Sequence, residues 1–367
     1  MYVVTDYSTA NIFGYDQIRF LSKDGFKVHL VCGTGKLRSD LSNQIISTTQ
    51  LFKLTRNISL LNDFVVFFQL IKVFKKINPS IVIYSSPKAS LLAALASCYC
   101  LIPIRIYQIW GARWQGLSRF KRLLLLNLDR LTLILSTQII GVSRSIIDLY
   151  SSLSTKKINL IFNGSAIGID SRIFKIKKNK LIANEGFFVG FAGRIAKDKG
   201  IVDLIVIFEA LQKSYPDIKL EIIGDLDLAD PIDRNTIDKI EFNKSIVWIK
   251  SADRIELSDR MQKWNLQIFP SSREGLGNSI IEAGACGVPT ICWNIVGAKD
   301  ASPTWLNNLL LQNGDLNQFI DTAISYLKSP LSINQRSKLS LWTHDNFETN
   351  YVLNEFVNYI KSLEYDA

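Results

Sequence analysis

The sequence predicts an α/β protein built from two doubly wound domains in tandem. Three observations carry that expectation. Strand and helix patterns alternate through both halves of the 367 residues, and such alternation builds parallel sheets, because each parallel pair needs a crossover. In the second half, two glycine-bearing loops each leave an apolar strand and open a helix. Between the halves, residues 163–185 combine Asn-Gly, a lysine-rich stretch (Lys175–Lys180) and little periodicity, which marks a domain boundary. The chain therefore divides into a first domain over 1–170, a second over 171–345 and a last helical piece over 346–367.

In chain order, Tyr2–Thr5 reads as a strand, Asp6–Phe13 as a loop and Gly14–Lys23 as a helix. Lys27–Cys32 is a strand stopped by Gly33-Thr-Gly35. Phe64–Ile77 repeats apolar residues every three or four positions, with Lys72, Lys75 and Lys76 where cations complement the helix dipole. Ser80–Tyr84 is a strand, Pro87 opens a turn, Ser90–Leu101 is an apolar helix and Ile104–Ile109 a strand. Leu117–Ser136 is a long helix and Gln138–Val142 a strand; Ser143 caps Ile146–Ser151, and Ile158–Phe162 is a strand. The second half runs strand Phe187–Ala192, helix Gly200–Ser214, strand Lys219–Gly224, strand Ile246–Ile249 and helix Arg254–Gln262, with Lys239–Phe242 open to either reading. Leu266–Phe269 is a buried strand, Pro270–Asn278 a loop and Asn278–Cys286 a short helix ended by Gly287 and Pro289. Val288–Trp293 is a strand; Leu316–Lys328 and Phe347–Leu363 are helices.

Composition narrows the function. Hydrophobic residues make up 47% and charged residues 21%, a folded globular balance. Five cysteines, Cys32, Cys98, Cys100, Cys286 and Cys292, lack paired C-x-x-C spacing, so neither a disulfide framework nor a zinc site is indicated. With only His29 and His344, a histidine metal centre or a Ser-His-Asp triad has little to draw on. The net charge of +10 is uneven: residues 1–170 hold 20 Lys and Arg against 8 Asp and no Glu, while 171–367 hold 23 against 25 acidic residues. One half is thus suited to an anionic partner. No signal peptide is read at the start, and the Ala89–Tyr107 run, broken by Pro103 and Arg105, falls short of the roughly 20 residues of a membrane span.

Chemistry concentrates in two stretches. Gly193–Gly200 (GRIAKDKG) follows a strand and precedes a helix. Arg194 offers a planar fork for phosphate oxygens and Lys199 a point charge. The order of a Walker loop is absent. The second stretch, Pro270–Ile291, contains Gly275 and Gly277, which allow close backbone approach, before a helix N-terminus whose first amides lack helical acceptors. Glu274 and Glu282 frame it. A capping box of Ser279 with Glu282 and an exposed loop carboxylate at Glu274 are the plain alternatives. A hydrolytic carboxylate pair fits poorly, since eight helical residues span roughly 12 Å at about 1.5 Å per residue, against about 5–9.5 Å in glycosidases. Asp225-Leu-Asp227 reads as acidic turn residues more readily than as a metal site.

The motifs GRIAKDKG (193–200), PSSREGLGNSIIEAGACGVPTI (270–291) and NGSAIGIDSRIF (163–174) resemble the retaining, nucleotide-sugar-dependent glycosyltransferases of family 4, which have the GT-B fold of two Rossmann-like domains facing a cleft. SSPKASLLAALAS (85–97) and IYQIWGARWQG (106–116) are similar to the bacterial subgroup that builds O-antigen and capsule. The resemblance implies that Arg194 and Lys199 bind the donor diphosphate. It implies that Glu274, with backbone near Gly275, Leu276, Gly277 and Asn278, holds the sugar and distal phosphate. Glu282 would take the ribose hydroxyls and Ala252–Ile255 would edge the base. Gly14, Lys88 and Arg113 are further candidates in the first domain, and the last helix crosses back to that domain. The donor is expected to be UDP-linked, with no cofactor and no metal, and the acceptor a lipid-diphosphate-linked saccharide. Many relatives carry a histidine near the reacting sugar; His29 lies too early and IYQIWGARW offers none, so a donor phosphate oxygen is expected to take the proton.

The competing expectations are a sugar-nucleotide epimerase of the same fold, disfavoured by the scarcity of histidine, and a basic nucleic-acid-binding protein, for which no motif appears. Leu117–Leu135 places Arg119, Lys121 and Arg122 at a helix start, where they oppose the macrodipole, beside Leu123–Leu126 and Leu128, with Trp110 and Trp114 before it. This reads as peripheral docking on the cytoplasmic leaflet; the alternative is a buried helix with a solvated basic start.

Overall fold

The computed structural model describes residues 1–55, 59–177 and 186–365; the end of the lysine-rich break, 178–185, lies outside them. The chain forms two compact units, one of Met1–Gly168 with Thr349–Ala367 and one of Ile169–Glu348.

In the first unit, strands β1 (Tyr2–Val3), β2 (His29–Cys32), β3 (Ser47–Gln50), β4 (Ile81–Ser85), β5 (Ile104–Ile109), β6 (Gln138–Gly141) and β7 (Ile158–Leu160) form one parallel sheet in the order β3-β2-β1-β4-β5-β6-β7. Apolar runs such as Ile81–Ser85 are buried on both faces, as a doubly covered parallel sheet demands. Helices Leu60–Ile77, Pro87–Tyr99 and Arg119–Leu135 pack in sequence against one another. Helix Thr349–Tyr365 packs on helix Tyr15–Lys23 and puts Phe356, Val357, Ile360 and Leu363 into this unit's core. Tyr359 fixes it: its hydroxyl donates to Gln138 Oε1 at 2.9 Å and accepts from Asn159 Nδ2 at 2.9 Å.

The second unit repeats the design with β8 (Phe188–Ala192), β9 (Lys219–Ile223), β10 (Ile246–Ile249), β11 (Leu266–Phe269), β12 (Thr290–Trp293) and β13 (Leu310–Leu311), all parallel, in the order β10-β9-β8-β11-β12-β13. Trp264, fully buried, lies against the strand at Gly190 and donates its indole N–H to Glu221 Oε2 at 2.8 Å, while Arg260 reaches Glu221 Oε1 at 2.8 Å. That carboxylate is buried in mid-sheet and is satisfied by both donors.

Several elements differ from the sequence reading. Asp6–Phe13 is not a loop: Asp6 caps a helix at Tyr7, accepting from Thr9 N at 2.8 Å, and Ala10–Gly14 continues it as a π turn into Tyr15–Lys23. Lys239–Phe242 is the end of helix Arg234–Phe242, capped by Asp233. Helix Ile333–Phe347, absent from the sequence reading, starts at a capping box of Ser332 with Gln335. Strand β3, Ser-Thr-Thr-Gln, is an edge strand with only a half-buried face, so it lacks an apolar signature.

A Cβ at Gly190 would lie 1.9 Å from the Trp264 ring, which is buried and tied to Glu221 through its indole N–H. Gly190→Ala is expected to cost about 1–3 kcal/mol and lower the calorimetric transition of this unit by roughly 2–12 °C. An unshifted transition would contradict this packing.

Candidate active site

In the second unit β8 and β11 are neighbours, but the chain leaves β8 toward β9 and β11 toward β12. The two outgoing loops diverge, which opens a crevice at the carboxyl ends of the strands. The loop after β8 is Gly193–Gly200 and the loop after β11 is Pro270–Gly277.

Close contacts lock the two loops. The 3₁₀ turn Lys197–Lys199 ends at Gly200, whose φ is +69° and where a Cβ would fall 2.0 Å from the Pro270 carbonyl oxygen; only glycine meets both conditions. The Asp198 carbonyl accepts from Ser272 N at 2.9 Å and from the hydroxyls of Ser271 and Ser272 at 3.2 and 3.0 Å. On its other side the first loop is laced to the segment after β9: Ile195 N donates to Asp225 O at 2.9 Å, and Asp198 N to Asp230 Oδ2 at 2.9 Å.

The charged groups pair across these loops. Lys199 Nζ meets Glu274 Oε1 at 2.5 Å, both side chains nearly buried at 13% and 11% exposure. Arg194, 47% exposed, is bonded to Asp227 and lies 3.4 Å from Asp198 Oδ2. Arg273 reaches the same Asp198 oxygen at 2.7 Å. The structure thus brings Arg194, Lys199 and Glu274 onto one rim of the crevice. Asp227 is tied to Arg194, and its other oxygen accepts from Ala229 N at 3.0 Å, which is turn and ion-pair chemistry.

Gly275–Asn278 forms the turn into helix Asn278–Ala285, with Gly277 at φ +86° as its N-cap. The Leu276 side chain is buried, so only its backbone can meet a ligand. The capping-box alternative does not hold: Ser279 lies inside the helix and its hydroxyl accepts from Gln267 Nε2 at 2.6 Å, while Thr290 donates to Gln267 Oε1 at 2.7 Å. This buried network ties the helix start to β11 and β12. Glu282, freed from capping, sits one turn further on. Burial pushes its carboxyl up to about 7, and the positive charge of Arg254 pulls it back. Arg254 opens the helix capped by Asp253, at the Ala252–Ile255 segment.

The first-unit candidates have other surroundings. Gly14 is buried in the π turn beside Tyr2 and Ile18 rather than in a loop mouth. Lys88, on the first turn of helix Pro87–Tyr99, is buried and paired with Asp63 at 2.5 Å. Arg113 is exposed in the turn after β5. Trp114 in that turn is buried, donating to Asp129 Oδ2 at 3.1 Å, and Asp129 also accepts from Tyr107 at 2.6 Å and from Tyr150. Trp114 is therefore an anchor and not an interfacial ring, contrary to the sequence reading. His29 is engaged with Ser47 at 2.7 Å. Sequence reasoning passed over Asp198 and Arg273, although both stand beside residues it chose.

Two parallel sheets of this topology, with a cationic loop and a glycine turn at the switch point, place the chain in the GT-B fold class. The coordinates superpose on sucrose-phosphate synthase of Thermosynechococcus elongatus with a TM-score of 0.81 at 15% identity, covering 100% of this chain and 99% of that one. Residues 172–340 match the profile described as "Glycosyl transferases group 1" and residues 5–138 the profile "Glycosyl transferase 4-like". The capsular polysaccharide biosynthesis glycosyltransferase CapM of Staphylococcus aureus is 33% identical over 309 residues, 82% of this chain and 80% of that protein. An Escherichia coli enzyme described as UDP-Gal:alpha-D-GlcNAc-diphosphoundecaprenol alpha-1,3-galactosyltransferase is 22% identical over 322 residues, 84% of this chain and 82% of its own length. The chain belongs to glycosyltransferase family 4.

The position of Glu282 has a consequence for stability. Its folded pKa lies above the ordinary 4.5, so between that value and about 7 the folded state holds the proton more tightly than the unfolded state. Stability from this group is therefore lost as pH rises through that window, by at most about 3 kcal/mol. Glu282→Gln is expected to melt at a temperature less sensitive to pH between 5 and 8 than the parent. Parallel curves would show that Glu282 is not in a desolvated site.

Proposed function

We propose that the protein is a retaining, metal-independent glycosyltransferase. It moves a sugar from a UDP-sugar to a lipid-diphosphate-linked saccharide during assembly of a surface polysaccharide such as capsule or O-antigen. The observation that carries the reading is the Lys199–Glu274 pair set beside Arg194 at the switch point of the second sheet. The descriptions of the Staphylococcus aureus and Escherichia coli relatives support the polysaccharide, the UDP donor and the lipid-diphosphate acceptor.

The chemistry follows from charge. The bond from the sugar's anomeric carbon to the distal phosphate oxygen breaks, and its electron pair stays on the diphosphate. Arg194 and Lys199 stabilise that negative charge, together with the helix N-terminus at Gly277–Asn278. Glu274 holds the sugar hydroxyls and aligns the ring. The acceptor oxygen bonds the same face of the anomeric carbon, and its proton passes to the departing phosphate oxygen. Glu282 accepts the ribose hydroxyls. Neutralisation by two fixed cations removes the need for a divalent ion, and the engagement of Asp227 with Arg194 fits that division of labour.

Arg194→Ala and Lys199→Ala are expected to weaken nucleoside diphosphate binding at least about tenfold, each losing a charge-assisted contact. Glu274→Gln should cut turnover strongly while the diphosphate still binds, and Glu282→Gln should weaken the nucleoside. Turnover should persist in chelator, with glycoside and not an epimerised nucleotide sugar as product. Unchanged diphosphate affinity in both cation variants sinks the assignment, and a strict metal requirement sinks the metal-free mechanism.

We further propose that the first unit docks on the cytoplasmic leaflet. Among the described residues no helix is long and apolar enough to cross a membrane. Helix Arg119–Leu135 buries only Thr132 and Leu133, and Phe120 (78%), Leu123 (55%) and Ile134 (68%) face solvent beside exposed Arg119, Lys121 and Arg122. Its exposed apolar side chains favour the interface over a merely solvated helix. Each cation near an anionic surface contributes roughly 1 kcal/mol. Arg119, Lys121 and Arg122 changed together to Ser should reduce flotation with anionic vesicles by about two decades in partitioning and leave donor binding intact. Equal flotation of variant and parent, or preference of the parent for duplex DNA over vesicles, would remove this surface.

A further inference from the structure

The turn that carries Glu274 is held from two sides. On one side the loop after β8 meets it through Gly200 and Lys199. On the other side stands β12, separated from β8 by β11. The chain leaves β12 at Asn294 and reaches the 3₁₀ turn Ala298–Ala301 by way of Gly297. A Cβ at Gly297 would fall 2.7 Å from the carbonyl carbon and oxygen of Gly275 and 2.9 Å from the Glu274 carbonyl oxygen. Its φ of +85° is also one that side chains rarely adopt. The main chain of the β12 loop thus lies against the main chain of Glu274 and Gly275.

The β12 loop is built as a wedge. Asn294 N donates to Leu311 O at 2.7 Å, Lys299 N to Ile295 O at 3.3 Å and Asp300 N to Gly297 O at 3.1 Å. Ala298 and Ala301 are buried, and a Cβ at Gly277 would come 3.9 Å from Ala298 Cα, so the wedge also abuts the helix start. The opposite rim has the same design. β9 flanks β8 on its outer side, and a Cβ at Gly224, just after β9, would fall 1.9 Å from the Gly193 carbonyl oxygen. Each rim of the crevice therefore has the next loop's main chain directly behind it. Non-bonded carbon contacts are normally made at about 3.5–4.0 Å, so one added methyl at Gly297 forces the two backbones to part by about 1 Å.

We propose that Gly297 is a positioning residue of the donor site. Lacking a side chain, it lets the loop after β12 seat directly behind Glu274 and Gly275, and so sets where the sugar-binding turn lies relative to Arg194 and Lys199. The inference rests on the donor-site reading and adds to it a third loop, which fixes the geometry without touching the ligand.

The test is calorimetric titration of the full chain with UMP, UDP, UDP-glucose and UDP-galactose. The variants are Gly297→Ala, Ala298→Gly, Glu274→Gln, the double variant Gly297→Ala with Glu274→Gln, and the control Gly314→Ala. Gly314 also has a positive φ, +89°, but nothing lies within 4 Å of where its Cβ would be, so it reports backbone strain alone. With the nucleotide sugar that the parent binds more tightly, Gly297→Ala should weaken binding about tenfold, as expected when a binding group is misplaced. UMP should be unaffected, and UDP should lose less than the nucleotide sugar. Gly314→Ala should change none of these affinities. Most of the Gly297→Ala loss should vanish in the Glu274→Gln background, because Gly297 acts through that turn. Ala298→Gly slackens the wedge without adding bulk; it should show the same selectivity with a smaller loss, and it decides the matter if Gly297→Ala does not fold. The proposal fails if folded Gly297→Ala binds the nucleotide sugar as the parent does, if UMP weakens equally, if Gly314→Ala loses as much, or if the loss is undiminished in the Glu274→Gln background. With Gly297→Ala unfolded, an absent or unselective effect of Ala298→Gly overturns it. A parent that binds neither nucleotide sugar, or a Glu274→Gln variant that binds it as the parent does, overturns the donor-site reading and this inference with it. A selective loss in Glu274→Gln without one in Gly297→Ala overturns this inference alone.

Discussion

The second unit depends on a contact between backbones. Gly200 lets the Pro270 carbonyl come where any side chain would stand, and the Asp198 carbonyl then takes three donors from Ser271 and Ser272. Two loops that leave the sheet in opposite directions are thereby held as one rim. Without that join, Lys199 and Glu274 would each end a separate mobile loop, and their pairing would cost the entropy of ordering both. Because the join is made by main chain and hydroxyls, the charged side chains are left to deal with one another and with whatever enters.

Charge balance is the second theme. The rim sets Arg194, Lys199 and Arg273 against Asp198, Asp227 and Glu274. Fixed counter-charges keep the cations in defined rotamers, so less reorganisation is left for the moment when negative charge develops on a leaving group. The cost is competition, because an incoming anion must outbid carboxylates already in place. The raised carboxyl of Glu282 obeys a different rule: it is shifted by the apolar helix around it and only partly offset by Arg254.

Most of the fold was legible because parallel strands buried on both faces must be apolar, and residues such as Ile81–Ser85 and Leu266–Phe269 announce themselves. The elements that escaped have physical reasons. Strand β3 is polar and lies at an edge; β13 is two residues long. Helix Ile333–Phe347 lacks a clean apolar stripe, yet its Ser332–Gln335 capping box stood in the sequence unused. At the candidate site, the two strand–loop–helix motifs singled out Arg194, Lys199, Glu274 and Glu282, since such units leave few places for such residues. The partners of those residues were hidden. The link from Asp198 to Arg273 spans 75 positions, and no local pattern reports a contact of that separation. Asp129, which gathers Tyr107, Trp114 and Tyr150, was likewise not singled out from the sequence.

The exposed side of helix Arg119–Leu135 also governs how the free protein behaves in solution. A chain carrying +10, with the excess concentrated in its first half, repels its own copies at low ionic strength, and that repulsion opposes contact between Phe120, Leu123 and Ile134 of different molecules. The Debye length shrinks from about 30 Å at 0.01 M salt to about 3 Å at 1 M. Added salt therefore removes the barrier while leaving the apolar strip unchanged. Colloidal stability in this protein is therefore expected to run opposite to the usual advice for basic enzymes: dilute buffer keeps the molecules apart, and concentrated salt promotes their association through the strip.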